Sequence, residues 1–145
     1  AQNVQVREGD ILLVRTGDYN RILNIGFPTG DSNKRPPDAI GNWPASQWAG
    51  LQASCMPWLH ERGIAVLGCD CPNDVCPSGY PNVPHKLPVH AIGLWAMGLW
   101  ILDGCNHEDL AVECAKRSRW EFNLTLAPLK LVGCTGCPVN PIAVF

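Results

Sequence analysis

Residues 87–105, LPVHAIGLWAMGLWILDGC, place one histidine and one aspartate at the two ends of an apolar run. Read as one continuous helix, thirteen steps at ~1.5 Å put His90 and Asp103 about 20 Å apart, and about 220° of accumulated rotation puts them on nearly opposite faces. The two polar residues then share nothing. Gly98 offers another reading, because glycine is the usual left-handed residue just past a helix C-terminus. A helix from near Val89 would end there, and LWIL would return as a buried strand. The rise of two helical turns, about 12 Å, nearly cancels a returning strand of about 16 Å. His90 and Asp103 would then meet at one end of a helix-turn-strand unit, within reach of a shared cation or proton. Spacing alone leaves both readings open, since a lone histidine in apolar surroundings is more often a hydrogen-bonded core residue than a ligand. The run from Ala91 to Leu102 is too short to cross a bilayer, so no membrane span is expected.

The chain around it has 145 residues, 46% hydrophobic and 17% charged, which is enough for one domain, 1–145, with a real core. Lys plus Arg number 11 against 13 for Asp plus Glu, so the basic footprint of a nucleic-acid binder is missing. AQNVQVREGD at the start shows no signal-peptide pattern, and with it a cytoplasmic location is expected; without an initiator methionine, Ala1 is compatible with a cut end.

Eight cysteines are expected to be mostly reduced thiols behaving as small core residues. A sulfur-ligated metal is the sharper alternative, from Cys69, Cys71 and Cys76 in C-x-C-x4-C and from Cys134 and Cys137 in C-x-x-C. Neither spacing matches zinc knuckles or ferredoxin runs.

Along the chain, GDILLVRTG (9–17) reads as a buried strand and 18–46, rich in Gly, Pro, Asn and Asp, as a long loop. Apolar positions from Trp48 to Leu59 recur at three and four, an amphipathic helix interrupted by Pro57 and ended by Gly63. GIAVLGCD (63–70) is a second buried strand that delivers Asp70 at its C-terminal end. A proline-rich loop over 71–88 leads into the quoted stretch. Asn106 caps a helix with Glu108 and Asp109 in its first turn and Lys116 and Arg117 in its last. Two or three strands separated by GCTGC close the chain, for a mixed α/β order. Trp95 and Trp100 are expected in the core, with Trp43 or Trp48 at a cavity mouth or interface.

GDILLVRTG, GIAVLGCD, LPVHAIGLWAMGLWILDG and LAPLKLVGCTGCPVNPIAVF (126–145), in that order, resemble the C-terminal half of the cyclase family. This is the metal-dependent hydrolase group that includes bacterial kynurenine formamidase and isatin hydrolase. The resemblance implies a swivelling β/β/α fold, a mixed sheet with flanking helices, and hydrolysis of a cyclic or N-formyl amide by water activated on zinc or manganese. By the same resemblance His90 matches a histidine ligand of the metal. Asp103 falls where relatives carry a glutamate ligand, and Asp70 stands where it could orient a ligand histidine. The family's His-x-Gly-Thr-His-x-Asp motif has no counterpart here, and His60, His85 and His107 cannot rebuild it. A metal would therefore be held only together with the missing N-terminal half, and none is expected on the isolated chain. That half, on a second chain, or a homo-oligomer would be the macromolecular partner, covering apolar surface that half a fold leaves open. The alternative to an enzyme segment is a truncated, non-catalytic module that binds or assembles.

Overall fold

The computed structural model describes residues 2–25, 49–82 and 87–145. The chain divides into two units, one of Val6–His107 and one of Ala1–Gln5 with Glu108–Phe145.

The larger unit is built on three parallel strands in the order β1 (Ile11–Val14), β2 (Val66–Cys69), β3 (Trp100–Leu102). Ile11 pairs with Val66 and Val66 with Trp100, so the same end of every strand points the same way. Parallel neighbours require crossovers, and helices supply them. All of β2 is buried, which is why VLGC carries no alternation of polar and apolar residues. Between β1 and β2 lie α1 (Asp18–Ile25), a 3-10 turn (Ala53–Cys55) and α2 (Met56–Arg62). Pro57 sits at the start of α2, where its missing N–H costs nothing, so it begins that helix instead of breaking a longer one. The 18–46 loop is corrected in part, because Asp18–Ile25 is helical; the remainder of that loop, Trp43, Trp48 and His85 lie outside the described residues.

The crossover from β2 to β3 is the quoted stretch. A short α-turn, α3 (Pro88–His90), widens into a π-helix over Ala91–Ala96, and the chain reverses at Gly98 before entering β3. Gly98 has φ +64°, a left-handed conformation that a side chain resists. Around it Met97 N donates to Ile92 O at 3.0 Å and Leu99 N to Gly93 O at 2.8 Å, so two carbonyls of the helix are satisfied across the turn.

Met56, Leu59, Ile64, Leu67, Val89 and Leu99 form the core, with Val6, Leu12, Val14, Leu51, Cys55 and Met97 packed against it. Each fully buried aliphatic chain contributes about 1.5–3 kcal/mol relative to exposure. Trp95 and Trp100 do not join this core: they are 89% and 65% exposed. After Pro88, the Val89, Gly93, Met97 line of the helix turns inward at steps of four, while Ile92, Leu94 and Trp95 face out. The apolar run has more apolar residues than one helix face and one short strand can bury.

In the smaller unit α4 (Glu108–Arg117) has Glu108 and Asp109 in its first turn and Lys116 and Arg117 in its last, in accord with the helix dipole. β4 (Asn123–Thr125) and β5 (Ile142–Val144) pair antiparallel, Asn123 opposite Val144. Phe145 lies 5.2 Å from Phe122, ring centre to ring centre, with the Arg117 guanidinium 5.0 Å above it. Of the two or three strands expected on either side of GCTGC, β4 and β5 form, each three residues long.

Candidate metal centre

The chain reversal brings His90 and Asp103 together: Nε2 of the imidazole lies 2.8 Å from Oδ2 of the carboxylate. The side chain of His90 is 20% exposed and that of Asp103 45%, so the pair opens to the surface on the Asp103 side.

A second carboxylate, Asp74, holds the other side of the ring. Its Oδ2 is 2.6 Å from His90 Nδ1, its Oδ1 accepts from Val89 N at 2.5 Å, and His90 N donates to Oδ2 at 3.1 Å. Asp74 is completely buried. It acts as a cap supplied from elsewhere in the chain, accepting the first free N–H groups of the helix behind Pro88. Those donors make a buried negative charge tolerable there. Asn73, also buried and at φ +45°, donates from its amide to Leu102 O and to Asp103 Oδ1, both at 2.8 Å.

The segment carrying Asn73 and Asp74 is itself fixed. Leu51 N donates to Asn73 O at 2.6 Å and Val75 N to Leu51 O at 3.0 Å. Gly50 lies so close to this backbone that a Cβ there would overlap the Asp74 carbonyl. Glycine is the only residue that permits the approach.

Asp70 is hydrogen-bonded to the end of β1 and not to the His90 ring. Its Oδ1 accepts from Thr16 N at 2.8 Å and Thr16 Oγ1 at 2.7 Å, and its Oδ2 from Gly17 N at 2.7 Å. It therefore ties the end of β1 to the end of β2, and the carboxylate on the histidine ring is Asp74. Burial raises the Asp70 pKa, but the donors from Thr16 and Gly17 outweigh it and leave the carboxyl below its ordinary value. Asp74 carries no periodic or motif signature of its own. The signal available for it was a second carboxylate four residues past Asp70, in the loop leaving a buried strand.

For His90, the Asp103 carboxylate first and Asp74 second raise the ring's pKa from 6.5 to about 9. Without metal the ring is thus a cation at neutral pH, with a proton shared toward each carboxylate. A divalent cation would replace the proton between Nε2 and Oδ2.

The donor set fits such a cation. An imidazole nitrogen and a carboxylate oxygen face one another, and the remaining ring nitrogen is anchored on a carboxylate, the arrangement that aims histidines at zinc or manganese. The other two described histidines stand apart: His60 is exposed on the last turn of α2, and His107 Nδ1 lies 3.3 Å from Val14 O.

Among the described residues, Cys69, Asp70 and Cys71 also bring three ligand-type atoms within 4.8 Å of one another. The two sulfurs lie 3.0 Å apart and are fully buried. The bond shared with Cys69, then burial, drives the Cys71 pKa strongly upward, and both Asp70 oxygens already accept hydrogen bonds. Without metal, Cys71 is therefore held as a thiol. All eight cysteines are free thiols, Cys134 exposed and Cys76 and Cys137 partly so.

Comparison with known proteins agrees with this architecture. A family model described as "Putative cyclase" matches residues 1–73, half of the chain. The chain belongs to the cyclase family. A crystal structure of a novel cyclase is 31% identical and superposes with a TM-score of 0.78 over 99% of this chain and 43% of the other. A potential metal-dependent hydrolase with cyclase activity is 19% identical, with a TM-score of 0.57 over 97% of this chain and 53% of its own; at that identity it supports the fold. The chain thus spans about half the length of these solved structures. No curated protein matches it.

Proposed function

We propose that this chain is the C-terminal segment of a metal-dependent hydrolase of the cyclase family, acting on a cyclic or N-formyl amide. The observation that carries the reading is the meeting of His90 Nε2 and Asp103 Oδ2 at 2.8 Å, with His90 Nδ1 fixed on Asp74. His90 and Asp103 hold zinc or manganese from one side, and further ligands come from the remaining half of the fold. A cation bound there supplies Lewis-acid polarisation of the scissile carbonyl and a water acidified toward neutrality. The chain's own residues do the rest. Asp74 keeps the ring turned so that Nε2 faces Asp103, Asn73 keeps the Asp103 carboxylate from swinging into solvent, and the exposed side of Asp103 leaves room for a small polar substrate.

The partner in this reading is a polypeptide carrying the missing ligands, or a further copy of the chain. Trp95 and Trp100, both largely exposed, give it an apolar face to cover. The same face, with His90 and Asp103 as the paired candidate ligands among the described residues, favours the second reading: a non-catalytic module that keeps the core and assembles.

The test is metal content and hydrolysis in the native protein. Bound zinc or manganese near one per site, and turnover of an N-formyl anilide or a cyclic imide that His90→Ala abolishes, support the enzyme. A metal-free protein without turnover, in complex with a partner through the tryptophan face, supports the module.

A further inference from the structure

We propose that Asp74 is the positioning residue that decides which nitrogen of His90 is available to a ligand, with Asn73 performing the matching task for Asp103. The inference deepens the reading of His90 and Asp103 as a metal-facing pair and rests on it for its consequence, though not for its geometry.

An ionised carboxylate only accepts hydrogen bonds. Asp74 Oδ2 stands 2.6 Å from His90 Nδ1 and is buried, whereas Asp103 Oδ2 stands 2.8 Å from Nε2 and is 45% exposed to competing solvent; the nearer, drier acceptor assigns the neutral ring's proton to Nδ1 and its lone pair to Nε2. Nε2 is the atom that faces Asp103. Asp74 cannot turn away from this task. Its Oδ1 accepts from Val89 N, its backbone segment is bridged to Leu51, and the side chain is completely buried.

Asp103 is the mobile member, 45% exposed at the end of β3. The Asn73 amide donates to both Asp103 Oδ1 and Leu102 O, so it references the carboxylate to the strand it leaves and turns Oδ2 toward the ring. Two adjacent residues therefore aim the two groups at one point. Asn73 does so from φ +45°, a left-handed conformation that asparagine tolerates better than most side chains. Its Oδ1 is buried and has no partner among the described residues, an uncompensated acceptor retained beside the site.

Asp74→Asn keeps the shape and removes the negative charge beside Nδ1. The Asp103 carboxylate is then the stronger acceptor, so the ring proton moves to Nε2 and the lone pair facing Asp103 is lost. The experiment is a two-bond proton–nitrogen correlation spectrum of His90 in the full native protein at pH 10.5 without metal, paired with calorimetric titration of Zn²⁺ at pH 7.5. The expected result is an Nδ1–H ring in the natural protein and an Nε2–H ring in Asp74→Asn, with zinc affinity lower by about 10–100-fold in the variant. Asn73→Ala should lower zinc affinity about 3–10-fold by the same aiming argument, with the His90 tautomer unchanged.

An Nε2–H ring in the natural protein overturns the proposal before any variant is made, so it stays testable even if Asp74→Asn does not fold. An unchanged tautomer in folded Asp74→Asn also overturns it. Should the tautomer switch while the natural protein binds no zinc, the positioning role stands and the metal reading falls. If zinc binds equally to both proteins and the tautomer stays put, the metal reading stands and the positioning role falls.

Discussion

His90 and Asp103 are thirteen positions apart in sequence and 2.8 Å apart at their side-chain tips, because the chain between them turns back at Gly98. The helix carries the imidazole away from the turn by about the distance over which the strand returns. The pair is therefore sensitive to changes at a residue that touches neither.

Gly98→Ala tests that dependence. No atom lies within 4 Å of the position a Cβ would take, so the cost is conformational alone, about 1–2 kcal/mol for an L-residue held left-handed. Urea denaturation should show that loss with an unchanged slope. A variant as stable as the natural protein would mean that the turn is not held in this conformation.

The His90 ring predicts how stability depends on pH in the metal-free protein. Its pKa is raised from 6.5 to about 9 in the folded state by Asp103 and Asp74. The stabilisation is fully present below about pH 6.5 and is lost as pH rises through about 9. At ~1.4 kcal/mol per pH unit the full span is about 3 kcal/mol, and screening at the exposed Asp103 reduces it to roughly 2. His90→Gln should remove this decline from the stability profile between pH 6.5 and 9. A profile identical in both proteins would place the ring elsewhere.

Asp70 and Asp74 should separate cleanly in mutants. Asp70→Ala leaves Thr16 N, Thr16 Oγ1 and Gly17 N without their acceptor, a loss of about 2–4 kcal/mol, yet zinc affinity should stay within about threefold of the natural value. Calorimetry alongside thermal unfolding distinguishes the two. A large fall in zinc affinity in a folded Asp70→Ala protein would return Asp70 to the role that resemblance implied.

The buried thiols offer the competing metal site. Cys69→Ser with Cys71→Ser should leave zinc binding intact, whereas His90→Ala with Asp103→Ala should reduce it at least 100-fold, since those two donors are then gone. Metal analysis after dialysis reads the outcome. The opposite pattern would move the metal centre to the end of β2.

Trp95→Glu with Trp100→Glu probes the outward face of the helix and of β3. If that face is covered in the assembled protein, sedimentation velocity should show a smaller species with its core intact by circular dichroism. An unchanged sedimentation coefficient would leave the face solvent-exposed in the native assembly.

Local chemistry was enough to read the strands around Val66 and Ile11, Gly63 as a stop and Gly98 as a candidate reversal. Each rests on a residue's own backbone preference or on continuous apolarity over a short window. The α/β class follows from the order of those elements, and the pairing of His90 with Asp103 was legible as one of two options. Asp74 was not, since its partners are the N–H groups and ring of residues fifteen and sixteen positions away. The outward placement of Trp95 and Trp100 was hidden for a related reason: apolar character says that a side chain gains by burial, whereas the number of inward positions is set by how one helix and one edge strand share a three-stranded sheet. Composition and backbone preference thus located the central strands and offered Gly98 as one possible point of reversal. Packing in three dimensions chose which carboxylate meets which nitrogen, because a hydrogen bond depends on ångström-scale separation in space and not on distance along the chain.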